Sequence, residues 1–183
     1  MPDSQNETGG NAHRFAPAAP DEDLVYGACC PGWHSVATHG DALEDWVAFM
    51  QRRDVERVCC LLPGRQLDDS ESTLQRYRRA FGDDSVRHAP VPDHHLVGRS
   101  TLATEILPFL EEAVVAEERV VVHCLAGIGR TGQVLAAWLA VDRGYSPERA
   151  IATVKETGRL PTDAVRAGNA TEDELHELIA AVA

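Results

Sequence analysis

Apolar positions along the chain fall into two spacings, one helical and one extended. Between residues 41 and 53, Leu43, Trp46, Val47 and Met50 recur every three or four positions and predict an amphipathic helix. The run from Val55 to Leu62, halted by Pro63-Gly64, instead predicts a buried strand. The same reading applies to Leu24-Val25-Tyr26, which leads to the turn at Pro31-Gly32, and to Val120-Val121-Val122 within residues 119–123. A second helix is predicted over 73–81, stopped at Gly82, followed by an extended piece over 85–91 that runs into Pro92-Asp93-His94-His95. Ser100 can cap a helix reaching about residue 118, with Leu102, Ile106, Phe109 and Val114 as its stripe and either a kink or a late start predicted by Pro108. Further helices are predicted over 130–143, ended by Gly144, and over 147–157, behind a Ser146 cap with Pro147 in first position. A last helix fits 171–182, with Thr171 and Glu174 spaced as a capping box.

Strands alternating with helices imply a single α/β domain, with a central, mostly parallel sheet flanked by helices. The domain is expected over residues 24–183. Residues 1–23 mix Pro, Gly, Asn, Ser and acidic residues without an apolar period, and are expected to form a flexible N-terminal tail. No apolar run approaches the roughly 18 residues needed to span a bilayer, and the start lacks the basic and apolar regions of a signal peptide. A soluble, cytoplasmic protein with no membrane contact is the expectation.

Charge narrows the choice of partners. The net charge of −12 argues against nucleic acid as a partner, because phosphate backbones repel that balance. Of the 17 basic residues only Lys155 is a lysine, which fits either a high-salt cytoplasm or a coding bias toward Arg and Ala. The five cysteines, Cys29, Cys30, Cys59, Cys60 and Cys124, suit neither a disulfide framework nor a zinc site, and no metal or other cofactor is expected. The two adjacent pairs sit in apolar stretches, as buried thiols do.

Cys124 stands in a different setting. The segment His123-Cys124-Leu125-Ala126-Gly127-Ile128-Gly129-Arg130-Thr131-Gly132 joins a predicted buried strand to a predicted helix. A glycine-containing loop at that junction can turn backbone N–H groups inward and hold an anion at the helix N-terminus. The same field favours a thiolate on Cys124, and the planar guanidinium of Arg130 matches two phosphate oxygens at once. Nucleophile, cradle and clamp therefore converge on one tetrahedral dianion. Gly127, Gly129 and Gly132 also satisfy the dinucleotide pattern G-x-G-x-x-G, but no second strand ending in Asp or Glu follows about 20 residues on. A nucleoside-triphosphate loop needs Lys before Ser/Thr, where Arg130 stands.

These residues resemble the H-C-x5-R-[ST] signature of the cysteine-dependent protein-tyrosine and dual-specificity phosphatases. His123, Cys124, Arg130 and Thr131 occupy its four fixed places, and a weaker likeness to compact dual-specificity members runs over about residues 24–180. The resemblance implies Cys124 as nucleophile and Arg130 as phosphate clamp. Leu125, Ala126, Gly127, Ile128 and Gly129 would line the phosphate, His123 would brace the loop, and Thr131 would stabilise the thiolate. It also implies a general acid about thirty residues upstream, where Asp93 lies 31 positions before Cys124; His94 and His95 are the alternatives. Glu174 loosely matches a water-positioning Gln of the family and is left outside the site.

The loop carries no Lys, which argues against phosphoinositide headgroups. A phosphorylated protein is the expected partner, with phosphotyrosine favoured and phosphoserine or phosphothreonine as further substrates. A 5′-triphosphorylated RNA end, a small phosphate ester, or a non-catalytic phosphoprotein-binding role are the alternatives; oligomeric state is not legible. The resemblance implies that the strand of Cys59 and Cys60 lies beside that of Cys124. Because side chains alternate along a strand, only one of the pair would face the site, where it could capture an oxidised nucleophile as a disulfide; two buried packing cysteines are the favoured alternative.

Overall fold

The computed structural model describes residues 11–34, 38–67 and 70–183. Five strands form one sheet: β1 (Ala16–Pro17), β2 (Val25–Ala28), β3 (Val55–Cys60), β4 (Val86–His88) and β5 (Arg119–His123), in the order β1-β2-β5-β3-β4. Only β1 runs antiparallel; β2, β5, β3 and β4 are parallel, with Ala28 and Cys60 both in register with His123. The α/β class and mostly parallel sheet are as the sequence predicts.

β5 is central because its valines serve both faces. Val120 and Val122 join one core with α4 (Leu107–Val115), α5 (Gly129–Arg143), α6 (Pro147–Glu156) and α8 (Glu172–Ala180). Val121 joins the other core, under α1 (His39–Arg52) and α2 (Ser70–Phe81). All three are fully buried, each contributing roughly 1.5–3 kcal/mol. The short helices α3 (Arg99–Thr101) and α7 (Asp163–Arg166) complete the set. Among the described residues no helix is long and apolar enough to cross a membrane.

The caps behave as predicted at Ser146, at Gly144 in the left-handed conformation, and at the Thr171–Glu174 capping box. The Pro108 region differs in detail. The helical run begins at Arg99 behind Gly98 rather than at a Ser100 cap, becomes π-helical over Leu102–Ile106, and resumes at Leu107. Proline has no N–H to give the preceding turn, and the wider π turn takes up that mismatch.

The N-terminal boundary needs correction. Ala12–Arg14 forms a 3-10 turn, β1 pairs with β2, and Ala18 and Ala19 are fully buried, so the folded unit begins near Ala12 rather than at residue 24. The segment shows no periodicity because a lone aromatic, Phe15, stacked on Tyr26 with centroids 4.6 Å apart, stands among alanines and backbone contacts rather than in a stripe of large side chains. Pro17 is tolerated because β1 is an edge strand. The expected tail over residues 1–10 lies outside the described residues.

Candidate active site

The loop between β5 and α5 is held by its carbonyl groups. Leu125 O accepts from the Cys30 N–H at 3.0 Å, Ala126 O from Arg14 Nη1 at 3.1 Å, and Gly127 O from Arg159 Nη1. Ile128 O accepts from the Leu160 and Gly132 N–H groups at 3.2 and 3.1 Å. Arg159 is 3% exposed and also donates to Gly27 O at 2.8 Å and Arg14 O at 2.7 Å. Burial pulls its guanidinium down to about 10, while the charges of Cys124 and Cys29 pull the other way; it remains a cation at neutral pH. Gly127 has φ +72°, and a β-carbon there would sit 2.4 Å from Ala28 O. Only glycine fits that turn.

Cys124, at the start of the loop, is 2% exposed and Arg130, at its end, 3%. They share a cleft of about 240 Å³ with Trp33, Asp93, His94, Leu125, Ala126, Ile128, Gly129 and Asp163. Arg130 Nη1 donates to Val91 O at 2.9 Å and Gln66 Oε1 at 2.8 Å, and Nη2 meets Asp93 Oδ1 at 2.9 Å. Gln66 Nε2 closes the triangle on Asp93 Oδ2 at 2.8 Å. The structure brings Cys124, Arg130 and Asp93 together on this one cleft.

The segment bearing Asp93 is pinned from several sides. Gln133 of α5, 1% exposed, accepts from the Val97 N–H at 2.9 Å and donates to His95 O at 3.3 Å. His94 has φ 56°; its Nδ1 lies 2.8 Å from Asp163 Oδ2, and its carbonyl accepts from Asn169 Nδ2 at 2.8 Å. The Asp163 hydrogen bond, helped by the charge of Asp93, raises the His94 pKa, so this imidazole stays cationic to higher pH than usual. His95 Nδ1 is turned to Asp93 O at 2.7 Å. Asp163 reaches the cleft because Gly129 has no side chain; a β-carbon there would lie 2.7 Å from that of Asp163.

His123 is fully buried between Trp46 and Tyr77. Its Nδ1 lies 3.2 Å from Cys124 O, an acceptor only, so Nδ1 carries the proton and Nε2 accepts from the Tyr77 hydroxyl at 3.2 Å. Burial pushes its pKa down to about 4 from an ordinary 6.5. The unfolded chain therefore takes up this proton first, and stability falls as pH drops from 6.5 toward 4. Denaturant titrations at pH 7 and 5 should show wild type losing roughly 2 kcal/mol from this group, a loss that His123→Gln should escape. Equal pH dependence in the two proteins would remove His123 as the cause.

Thr131 is fully buried, and its Oγ1 has no hydrogen-bond partner among the described residues. Glu174 is committed to its capping box, its carboxylate accepting from the Thr171 N–H at 2.7 Å. The four outlying cysteines are free and buried. Burial pushes the Cys29 thiol up to about 11 and those of Cys30 and Cys60 up to about 12, and Cys59 higher still. Of the strand pair, Cys59 packs in the core that also holds Cys124, and Cys60 in the one that holds Val121 and Tyr77.

Sequence reasoning missed Arg14, Gln66, Gln133, Arg159 and Asp163. None stands in a local motif, and each matters through partners distant in the chain.

A cysteine-led loop between a central parallel strand and a buried helix, with an arginine and an aspartate over it, places the chain among the protein-tyrosine/dual-specificity phosphatases. More narrowly, the chain belongs to the Tc-R-P family, described as polymorphic toxin system, DSP-PTPase phosphatase, whose profile matches residues 36–144. It is 36% identical over 75 residues to the dual specificity protein phosphatase Mpk3 of Drosophila melanogaster, a match spanning 41% of this chain and 18% of that protein. The crystal structure of Tk-PTP in its active form is similar with a TM-score of 0.63 at 26% identity, over 84% of this chain and 92% of that one. Kinase associated phosphatase shares the fold with a TM-score of 0.67 at 17% identity, over 86% of each chain. P. aeruginosa TpbA, solved in complex with pTyr, shares it at 0.56 and 20%, over 88% of this chain and 86% of that one.

Proposed function

We propose that this phosphatase hydrolyses phosphotyrosine on proteins, with phosphoserine and phosphothreonine as further substrates, through a phosphocysteine intermediate. The observation that carries the reading is the convergence of Cys124, Arg130 and Asp93 on one cleft. The phosphate would lie on the N–H groups of the loop between Leu125 and Gly129, with the Arg130 fork on two of its oxygens. An arriving phosphate would compete with Asp93 for that guanidinium. The Cys124 thiolate attacks phosphorus, the P–O bond to the leaving group breaks, and Asp93 gives its proton to the departing oxygen. Water then attacks the phosphocysteine while Asp93 takes the proton, releasing phosphate and thiolate. Thr131, whose hydroxyl is unpartnered among the described residues, is suited to donate to that thiolate.

Trp33, 41% exposed at the cleft mouth, supports an aryl ester by offering a flat face for stacking. The free, buried cysteines suit a reducing cytoplasm. The catalytic unit would run from about residue 12 to 183. The test is turnover of p-nitrophenyl phosphate in EDTA, together with the variant Asp93→Ala. That variant should slow phenyl phosphate hydrolysis about a hundredfold and activated aryl phosphates much less, since only poor leaving groups need the proton. Equal losses on both would take the acid role away from Asp93.

A further inference from the structure

We propose that Arg14, outside the segment matched by the family profile, is a positioning residue for the phosphate-binding loop. The proposal rests on the reading of that loop as the phosphate site. Four consecutive carbonyls, from Leu125 to Ile128, are held by partners outside the loop or in the following helix turn. A trans peptide sets its C=O and N–H in opposite directions, and no cis bond occurs among the described residues. Holding each carbonyl on the outer side therefore turns the N–H of the following residue, Ala126 to Gly129, to the inner side, where an oxyanion can accept from them.

Three of these anchors come from elements that the fold builds anyway: the chain after β2, and the segment after α6 that carries Arg159 and Leu160. The fourth is Arg14 Nη1 on Ala126 O, reaching back across 112 positions from the N-terminal segment. Its donation orients the N–H of Gly127, the residue at the sharpest turn of the loop. The segment is fixed for the task. Arg14 and His13 both adopt positive φ, the Arg14 carbonyl accepts from Arg159, and the His13 carbonyl accepts from the Cys29 N–H at 2.8 Å. Arg14 and Arg159 thus grip adjacent carbonyls of the loop and are joined to each other, so the N-terminal segment closes the back of the cradle.

The experiment uses the full chain and orthovanadate as the oxyanion probe. Arg14→Met should weaken competitive inhibition by vanadate about tenfold and lower kcat/KM for p-nitrophenyl phosphate by a similar factor. Arg14→Lys, which can still donate to Ala126 O, should recover most of the loss. Phe15→Leu serves as the packing control: it should lower the melting temperature without changing vanadate affinity. Should Arg14→Met fail to fold, Arg14→Gln, with a shorter donor, should show at least a threefold loss of vanadate affinity. Wild-type vanadate affinity in folded Arg14→Met or Arg14→Gln, or equal loss in Phe15→Leu, would overturn the role of Arg14. Absence of vanadate inhibition in wild type itself would overturn the phosphate-site reading and this inference together.

Discussion

Cys124→Ser should abolish turnover of p-nitrophenyl phosphate, by a factor of at least about a thousand, while leaving the fold and oxyanion binding in place. A serine hydroxyl does not ionise near neutral pH, so the attack on phosphorus has no nucleophile. The replacement is close to isosteric at a site that is 2% exposed, so thermal unfolding should move little. The loop carbonyls keep their anchors, and inorganic phosphate should still bind with an affinity near that of wild type. Calorimetry on the purified variant checks both halves. Appreciable turnover would dismiss the covalent route, and lost phosphate binding with an intact fold would show that the sulfur holds the anion.

The second large effect is expected at Gly127. Gly127→Ala forces a non-glycine residue to φ +72° and drives a methyl group to 2.4 Å from Ala28 O, a backbone atom at the end of β2 that cannot rotate away. The left-handed conformation alone costs roughly 1–2 kcal/mol, and the clash should raise the total to about 4 kcal/mol with loss of activity. Gly144→Ala is the matched comparison: its φ is +61°, but nothing lies within 4 Å of the added carbon. That change should cost only about 1 kcal/mol and leave kcat/KM unaltered. Chemical denaturation of the two variants measures the difference. Similar losses would mean that the loop can shift away from β2.

The sequence shows most clearly those features that depend on neighbours in the chain. Val120-Val121-Val122 reads as a buried strand because both faces of a central parallel strand are apolar, and β5 is that strand. The caps at Ser146 and Thr171 are legible because each is a bond across three residues. The Cys124–Arg130 loop is legible for the same reason. Asp93 was placed by a family interval, and its ion pair with Arg130 appears only in three dimensions. Gln66 gave no local sign of its role, since its meaning is the bridge between Asp93 and Arg130. The N-terminal segment was misread because a lone aromatic, Phe15, with small residues and backbone hydrogen bonds, holds it, and none of these leaves a periodic trace.

The anchoring of the Asp93 segment by Gln133, Asp163 and Asn169 bears on how this enzyme meets its substrates. A catalytic loop that swings shut over its substrate accepts guests of many lengths and completes the site around each. Here the segment is tied at His94, His95 and Val97 to α5, to α7 and to Asn169 between α7 and α8, so there is little travel left for it. The proposed site would then meet a phosphate ester already assembled, with Arg130 and Asp93 in place beside Cys124.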